Sequence, residues 1–339
     1  MSWKTGYLML VVFLILIVLP FLLIKGLPFS SREAPEKPVI IRVYNHNNQR
    51  TLSLELEEYL QGVVAAEMPA LYHPEALKAQ AIAARTYTIK QLTGAEGKPQ
   101  HTGADLCTDY RCCQAWLSTE DLKQKWGFMP FFYYWSRINR AVAETRGEIL
   151  CFQGQPIDAV YHSNSGGRTE DARYVWGRSL PYLQSVVSPY DRERQKNYTH
   201  ELTLPVARFD RLLGSDLEGI INRYKQNDTG DYRLTTGSND PLFQVLKKTP
   251  GQRVLSLKIG QQEFTGLTLR QKLSLPSSNF RLSLAGDQVK VRVRGNGHGV
   301  GMSQDGADGF GRHDYGYREI LAHYYPGTEL KEISELSNQ

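Results

Sequence analysis

The stretch Leu56-Glu57-Glu58-Tyr59-Leu60-Gln61-Gly62-Val63-Val64-Ala65-Ala66-Glu67-Met68-Pro69 decides how this chain reads. Leu56, Leu60, Val63 and Glu67 are spaced i, i+4, i+7, i+11. At 3.6 residues per turn they fall within an arc of about 60° on one helix face. A carboxylate has been placed on an otherwise apolar stripe. Burial there disfavours the charged form and raises the pKa. A glutamic acid that stays protonated near neutral pH can act as a general acid. Met68-Pro69 must end the helix, and a glutamate at a helix end also turns readily to water. Spacing alone leaves both readings open.

Working outward, His73-Pro74 opens a second helix with proline at an early position. Ala76, Leu77, Ala79, Ala81, Ala83 and Ala84 let a neighbour approach closely, most simply the Glu67 helix. Arg85 lies one turn beyond Ala81. Upstream, Val39–Tyr44 is strand-like, a turn follows at 45–50, and Ser53 is expected to cap the first helix. Residues 91–130 read as irregular. Phe131–Arg146 reads as an aromatic-rich helix stopped by Gly147. Glu148–Phe152 and Gln155–His162 read as a hairpin around Gln153-Gly154. A helical pattern runs from Leu204 to Tyr224, with strands at Arg253–Ile259 and Gln288–Arg294. Thr265-Gly266 leads into a short helix near 267–275, and a last helix, Tyr317–Tyr325, stops at Pro326-Gly327. The expected fold class is α+β: a mixed, two-lobed globular domain with a substrate groove between the lobes, plus one N-terminal transmembrane helix.

Among 339 residues the formal charge is +5 and the mean hydropathy is −0.41. The bulk is therefore water-soluble. The charge excess suits anionic wall polymers or lipid head groups, and it is too small and scattered to argue for nucleic acid. Tyr7–Ile24 departs from this composition: it carries no charge and is nearly all Leu, Val, Ile and Phe. Its length is close to the minimum for a membrane span, and no small-residue cleavage pattern follows. The expected organisation is an anchor at 1–26, a Pro-rich linker at 27–38, and a catalytic domain at 39–332 on the outer side of the cell membrane. Charge bias around the anchor does not set its orientation.

Two loops carry dense polar or glycine content. Tyr161-His162-Ser163-Asn164-Ser165-Gly166-Gly167 offers hydroxyl and amide groups of the kind that bind sugars, and reads equally as a turn. A nucleophilic Ser163 or Ser165 lacks the Gly-x-Ser-x-Gly elbow. Gly295-Asn296-Gly297-His298-Gly299-Val300-Gly301 fails the dinucleotide pattern, because Val300 stands where glycine is needed and no βαβ unit surrounds it. Its glycines allow close backbone approach, and His298 reads more readily as structural than as catalytic. His101, Cys107, Cys112 and Cys113 are the residue types of a closed tetrahedral zinc site, structural rather than catalytic. Their spacing matches no standard finger. A disulfide between two of the cysteines, or free thiols, are equal readings.

Together these stretches resemble the stage II sporulation protein D family. The resemblance rests on Val63–Pro69, Leu77–Tyr87, Tyr161–Gly167, Pro181-Tyr182-Leu183, Gly297–Gln304 and His323–Gly327, in that order, over roughly residues 39–330. The same domain occurs in amidase-enhancer proteins of vegetative walls. The resemblance implies a lytic transglycosylase. Such an enzyme cuts the bond between N-acetylmuramic acid and N-acetylglucosamine in peptide-stripped peptidoglycan strands and leaves a 1,6-anhydro end, in septal wall degradation and engulfment. It implies no cofactor for catalysis. Implied partners are an amidase, sporulation protein P, and the membrane protein M. The family's catalytic glutamate falls on Glu67 and its motif arginine on Arg85, expected at the rim of the site. Substrate contacts are expected from Arg85, Tyr87, His162, Ser163, Ser165, Gly167, Tyr182, His298 and Gln304. Asp305 departs from the bulkier residue usual in relatives. The alternative is a non-catalytic glycan-binding activator of an amidase.

Overall fold

Burial alternates along Ile40–Asn45, with Ile41 and Val43 inward and Ile40 and Arg42 outward, which makes this segment strand β1. It pairs antiparallel with β2 (Arg50–Glu55), in register from Ile40 opposite Glu55 to Asn45 opposite Arg50. Helix α1 (Leu56–Glu67) follows without a break. Its cap residue is Glu55, with no side-chain cap bond, and Ser53 lies in β2 opposite Arg42 instead of capping. The Leu56 N–H is satisfied by the Val39 carbonyl at 2.9 Å, so the strand does the work expected of a capping hydroxyl. Helix α2 (Pro74–Thr93) begins on its proline. In all, the structure, a computed structural model, describes residues 38–93, 103–226 and 242–338, with isolated positions at 7, 12, 13, 15 and 16.

The stretch read as irregular contains β3 (Leu106–Cys107), which pairs parallel with β1. It also contains α3 (Thr119–Trp126), opened by a capping box between Ser118 and Asp121. Helix α4 (Phe128–Glu144) then starts three residues earlier than its sequence suggests. Strands β4 (Glu148–Phe152) and β5 (Gln155–Pro156) form the expected hairpin, with Gln153 and Gly154 both at positive φ. The hairpin stops there: β6 (Tyr161–His162) is not part of it. A short helix, α5 (Ala172–Trp176), is capped by Asp171 and ended by left-handed Gly177.

A smaller lobe is inserted between this half and the C-terminal helices. Strand β7 (Thr199–Pro205) takes the first two residues of the expected helical stretch, and the rest of it is helical in two pieces, α6 (Val206–Leu213) and α7 (Leu217–Gln226), separated by left-handed Gly214. Strands β8 (Phe243–Lys248), β9 (Val254–Ile259) and β10 (Gln262–Thr265) form one three-stranded sheet, and α8 (Gly266–Lys272) follows. Strand β11 (Phe280–Ala285) and β12 (Gln288–Arg294) pair antiparallel, and β12 pairs with β7 on its other edge. Val289, Val291 and Val293 point inward and join Leu204, Phe209, Leu257 and Leu269 in a core of their own. Gln288, Lys290, Arg292 and Arg294 point out, the period-2 pattern of a half-buried strand.

The chain returns through β13 (Met302–Ser303), which pairs parallel with β6. Helices α9 (Gln304–Arg312) and α10 (Tyr317–Tyr324) follow, and β14 (Glu329–Glu332) closes antiparallel on β4. The larger core therefore draws on both ends of the domain, from Ile41 to Leu183 and from Val300 to Tyr325. At its centre is α2, which packs against α1, α4, β4, α9 and α10. Ala76, Ala79, Ala81, Ala83 and Ala84 are all fully buried, so neighbours close in on every side of a nearly smooth cylinder.

Arg85 is on that buried helix and does not reach a rim. Its guanidinium is fully enclosed and grips Glu57 of α1 in a fork, Nε to Oε1 at 2.8 Å and Nη2 to Oε2 at 2.7 Å. Nη1 donates to the Glu148 carbonyl at 3.1 Å and Nη2 to that of Val142 at 3.3 Å. One side chain ties α1, α2, α4 and β4 together, which corrects the expectation of a substrate contact there.

No helix among the described residues is long and apolar enough to cross a membrane. The expected anchor, residues 7–24, falls almost wholly outside the described residues, as does residue 101.

Removing the guanidinium strands the Glu57 carboxylate in the core. Arg85→Leu is expected to destabilise the domain by about 3–5 kcal/mol, the usual loss when one partner of a buried pair is deleted. Urea unfolding of the variant beside the parent measures it; a change within experimental error would show the pair to be dispensable.

Candidate active site

Glu67 ends α1 at the wall of a cleft of about 450 Å³. Ala65–Leu71 form one side of it, with Lys125 and Trp126 of α3 and Tyr134 of α4 on the other. The rings of Trp126 and Tyr134 meet edge to face, centroids 5.4 Å apart. The cleft lies wholly against the larger core, not in a groove between the two lobes as expected.

The carboxylate has two donors. Oε1 accepts the Ala115 N–H at 2.9 Å, and Oε2 faces Gln304 Nε2 at 3.4 Å. Gln304 Nε2 also faces Gln80 Oε1 at 3.4 Å, so an amide from the alanine-rich helix orients the amide that touches Glu67. Burial raises the Glu67 pKa; the Ala115 and Gln304 donors favour the ionised form and pull against it, and burial wins. The acid is held protonated beyond the ordinary carboxylate range yet close to donors that will receive its anion. Tyr161 stands nearby, its hydroxyl donating to Gln114 Oε1 at 2.8 Å. Burial pushes the pKa of that phenol up.

The placement of Ala115 depends on Gly62. A Cβ at Gly62 would come within 2.6 Å of the Leu117 carbonyl and collide with the Trp116 ring. Only glycine lets the 114–118 segment lie against α1, and that contact is what aims the Ala115 N–H.

Of the side chains expected to bind substrate, Gln304 is the one brought against Glu67. The others serve elsewhere. Asn164 and Ser165 are fully buried. Asp191 accepts from the Ser165 hydroxyl, from the Gly167 N–H at 2.8 Å, from Ser188 Oγ at 2.8 Å and from Ser303 Oγ at 2.6 Å. The Ser163 carbonyl accepts the Asp305 N–H at 3.0 Å. The Asn164–Gly167 part of this loop is an internal network that fixes where α9, and so Gln304, begins. Asp305 belongs to it: buried, it accepts from the Tyr72 hydroxyl and from Asn164 Nδ2 at 2.8 Å. A bulkier residue there would lose both bonds.

His162 is buried, with Nδ1 against the Val300 carbonyl at 3.0 Å and its ring 5.5 Å from that of His298. His298 Nδ1 accepts the Val300 N–H at 3.1 Å, and burial lowers its pKa to about 4. Burial lowers the pKa of both imidazoles, and both rings are held by the backbone of Val300. Tyr182 is buried beside Phe152, and its hydroxyl oxygen faces the Asp158 N–H at 3.5 Å. Tyr87 points at the cysteine cluster, its hydroxyl 3.5 Å from the Cys112 carbonyl.

The sulfurs of Cys107, Cys112 and Cys113 lie within 4.8 Å of one another, and none is in a disulfide. Burial and the neighbouring thiols push Cys113 up to about 11. Three converging thiols fit a soft divalent cation, which would stabilise their thiolate forms.

Sequence reading missed Gln80, Ala115, Lys125, Trp126 and Tyr134. Gln80 had a signal: a lone amide inside an alanine run that has no apolar partner to offer it. The aromatic pair had only composition, and nothing local placed α3 and α4 across from Glu67.

An α+β domain whose first two helices carry a desolvated glutamate against an amide pair has a match among known families. A family model described as stage II sporulation protein covers residues 44–152, which hold Glu67, Gln80 and the thiol cluster. The chain is 36% identical over 302 residues to the stage II sporulation protein D of Bacillus subtilis (strain 168), spanning 89% of this chain and 82% of that one. It is 35% identical over 297 residues to the protein of the same name from Bacillus amyloliquefaciens, spanning 88% and 80%. The amidase enhancer of Bacillus subtilis is 30% identical over 306 residues, 80% of this chain and 40% of that longer protein. The chain belongs to the stage II sporulation protein D family.

Proposed function

We propose that this protein is a peptidoglycan lytic transglycosylase in which Glu67 serves in turn as acid and base. The observation that carries the reading is Glu67, its pKa raised by burial, in a cleft whose lining holds no second carboxylate. Glycoside hydrolysis commonly uses two carboxyl groups, one of them to activate water or attack the sugar. A transglycosylase needs one. Glu67 gives its proton to the bridging oxygen as the bond to C1 of muramic acid breaks. The carboxylate, now held by Ala115 and Gln304, takes the proton of the C6 hydroxyl as that oxygen bonds to C1. The proton count closes, the 1,6-anhydro ring forms, and no water enters. Attack from within the same sugar has high effective molarity.

Trp126 and Tyr134 offer ring faces and edges to a sugar, and Lys125 is the cation in the cleft lining that would meet the muramic lactyl carboxylate. Family membership supports a sporulation role at the cell wall. In that setting a partner amidase strips the stem peptides, sporulation protein P being the candidate, with the membrane protein M beside it and residues 7–24 as the membrane anchor.

The test is digestion of peptide-stripped glycan with product analysis by mass spectrometry. The parent is expected to release anhydro-muropeptides, and Glu67→Gln, isosteric and unable to donate, to lose at least about a hundredfold in rate, the scale of general-acid catalysis. Tight glycan binding with no product from the parent would support an amidase activator instead.

We also propose that Cys107, Cys112 and Cys113 hold a structural zinc ion, with His101 as fourth ligand. The purified chain is then expected to carry about one zinc per molecule and to melt at a lower temperature after chelation, because a site that closes on metal contributes its binding energy to folding. A metal-free chain with unchanged melting would remove the proposal.

A further inference from the structure

We propose that the smaller lobe carries a binding groove for a linear phosphodiester polymer, distinct from the Glu67 cleft. A hollow of about 400 Å³ is lined by Arg168, Arg192, Lys248, Arg281, Arg292 and Arg294, and by no aspartate or glutamate. Cations at this density repel one another, and surface arginines usually relieve that by pairing. Among the described residues Arg168, Arg192, Lys248, Arg281 and Arg294 have no ion pair. Arg292 has one, to Glu201 at 3.5 Å, with both side chains about 70% exposed, and such a pair contributes little. The acids beneath the floor are already engaged. Asp191 takes its hydroxyl and amide donors, and Glu170 takes the Thr249 hydroxyl and the Gly251 N–H. The lining charge is thus unneutralised and faces a concavity, which concentrates its field.

The backbone arranges these cations in a row. Lys290, Arg292 and Arg294 are alternate residues on the outer face of β12, so they recur about every 7 Å. Arg281 stands directly opposite Arg292 in β11. The row continues into a second, larger hollow of about 650 Å³ that shares Lys248, Arg281 and Arg292 and adds Lys247 and Lys290, with Glu201 as its one carboxylate. A single small anion would use one fork of such a track. A flexible polymer with one phosphate per short repeat, such as poly(glycerol phosphate), would use its length, and each arginine presents the planar fork that suits phosphate oxygens. Peptide-stripped glycan carries only one carboxylate per disaccharide, too sparse for this row. A bilayer does not fit either: the 400 Å³ hollow is concave, and Phe280 in its lining is buried.

The test is binding of synthetic poly(glycerol phosphate) to the purified full-length chain, with Arg292→Glu/Arg294→Glu as the groove variant. Arg208→Glu/Arg211→Glu, on α6 of the same lobe and outside both hollows, matches its charge change. We expect saturable binding by the parent that weakens with salt, a loss of about tenfold or more in the groove variant from the lost phosphate contacts and counterion release, and little change in the matched variant. Inorganic phosphate should compete only at far higher concentration than the polymer. Equal losses in the two variants would reduce the effect to net charge and overturn the proposal. So would preferential binding of anionic phospholipid vesicles or of peptide-stripped glycan through these arginines. Anhydro-product release by the groove variant reports on the Glu67 reading separately, since Arg292 and Arg294 take no part in that site.

Discussion

The constraint on which the rest of the structure depends is the close approach permitted by α2. Five buried alanines let four neighbouring elements and a fifth at its N-terminal half crowd one helix. Beside its buried Leu77, Ile82 and Ile89, the helix is also pinned by polar groups that point out of it. Arg85 locks it to Glu57 and to two carbonyls, and Thr86 Oγ1 accepts the Leu150 N–H at 2.9 Å. Gln80 reaches the other way, toward Gln304 and through it to Glu67. One side chain of this central helix, Gln80, thus reaches the site. Stability and function use different residues of it: Arg85 for the first, Gln80 for the second.

The carboxylate shows how two opposed effects are balanced. Complete burial without donors would keep Glu67 protonated but make its anion too costly to form during a reaction. Strong donors in open water would leave it ionised and useless as an acid. Here one backbone N–H at hydrogen-bonding distance and one longer amide contact leave burial dominant while keeping the anion within reach. Gly62 is part of that balance although it touches no substrate, because its missing Cβ is the room in which the Ala115 segment lies.

Much of this was legible in the sequence. The i, i+4, i+7, i+11 spacing placed Glu67 beside Leu60 and Val63 on a buried face, and the alanine run marked a helix that others approach. Motif order gave the family. What the sequence hid was long-range. Arg85 looked like a site residue because it follows the motif, and its partner Glu57, one helix back, gave no sign of being buried. The Ser-Asn-Ser-Gly-Gly loop had the chemistry of a sugar site, yet Asp191, whose side chain sits at the centre of its hydrogen bonds, is more than twenty residues away in the chain. Strand β7 was not legible at all, and its last two residues, Leu204 and Pro205, merge into the helical pattern that follows; its pairing with β12 fixes it, and no local pattern records that pairing. Two lobes were expected, but that the smaller is inserted within the larger was not legible, since insertion is a property of which cores the segments join.

The central claim is that burial in the fold keeps Glu67 protonated to a higher pH than an ordinary glutamate. Its carboxyl can be followed by infrared difference titration of the parent against Glu67→Gln. A group whose pKa is raised by folding is protonated in the folded state through the window in which the unfolded chain has already ionised, so the C=O stretch should persist above the ordinary glutamate value of about 4.3 and vanish only as pH climbs past the shifted pKa. Stability assigned to this group should fall over the same rise in pH. A Glu67 signal that disappears at or below the ordinary value would mean a charged, solvated side chain, and the acid–base role assigned to it would be wrong.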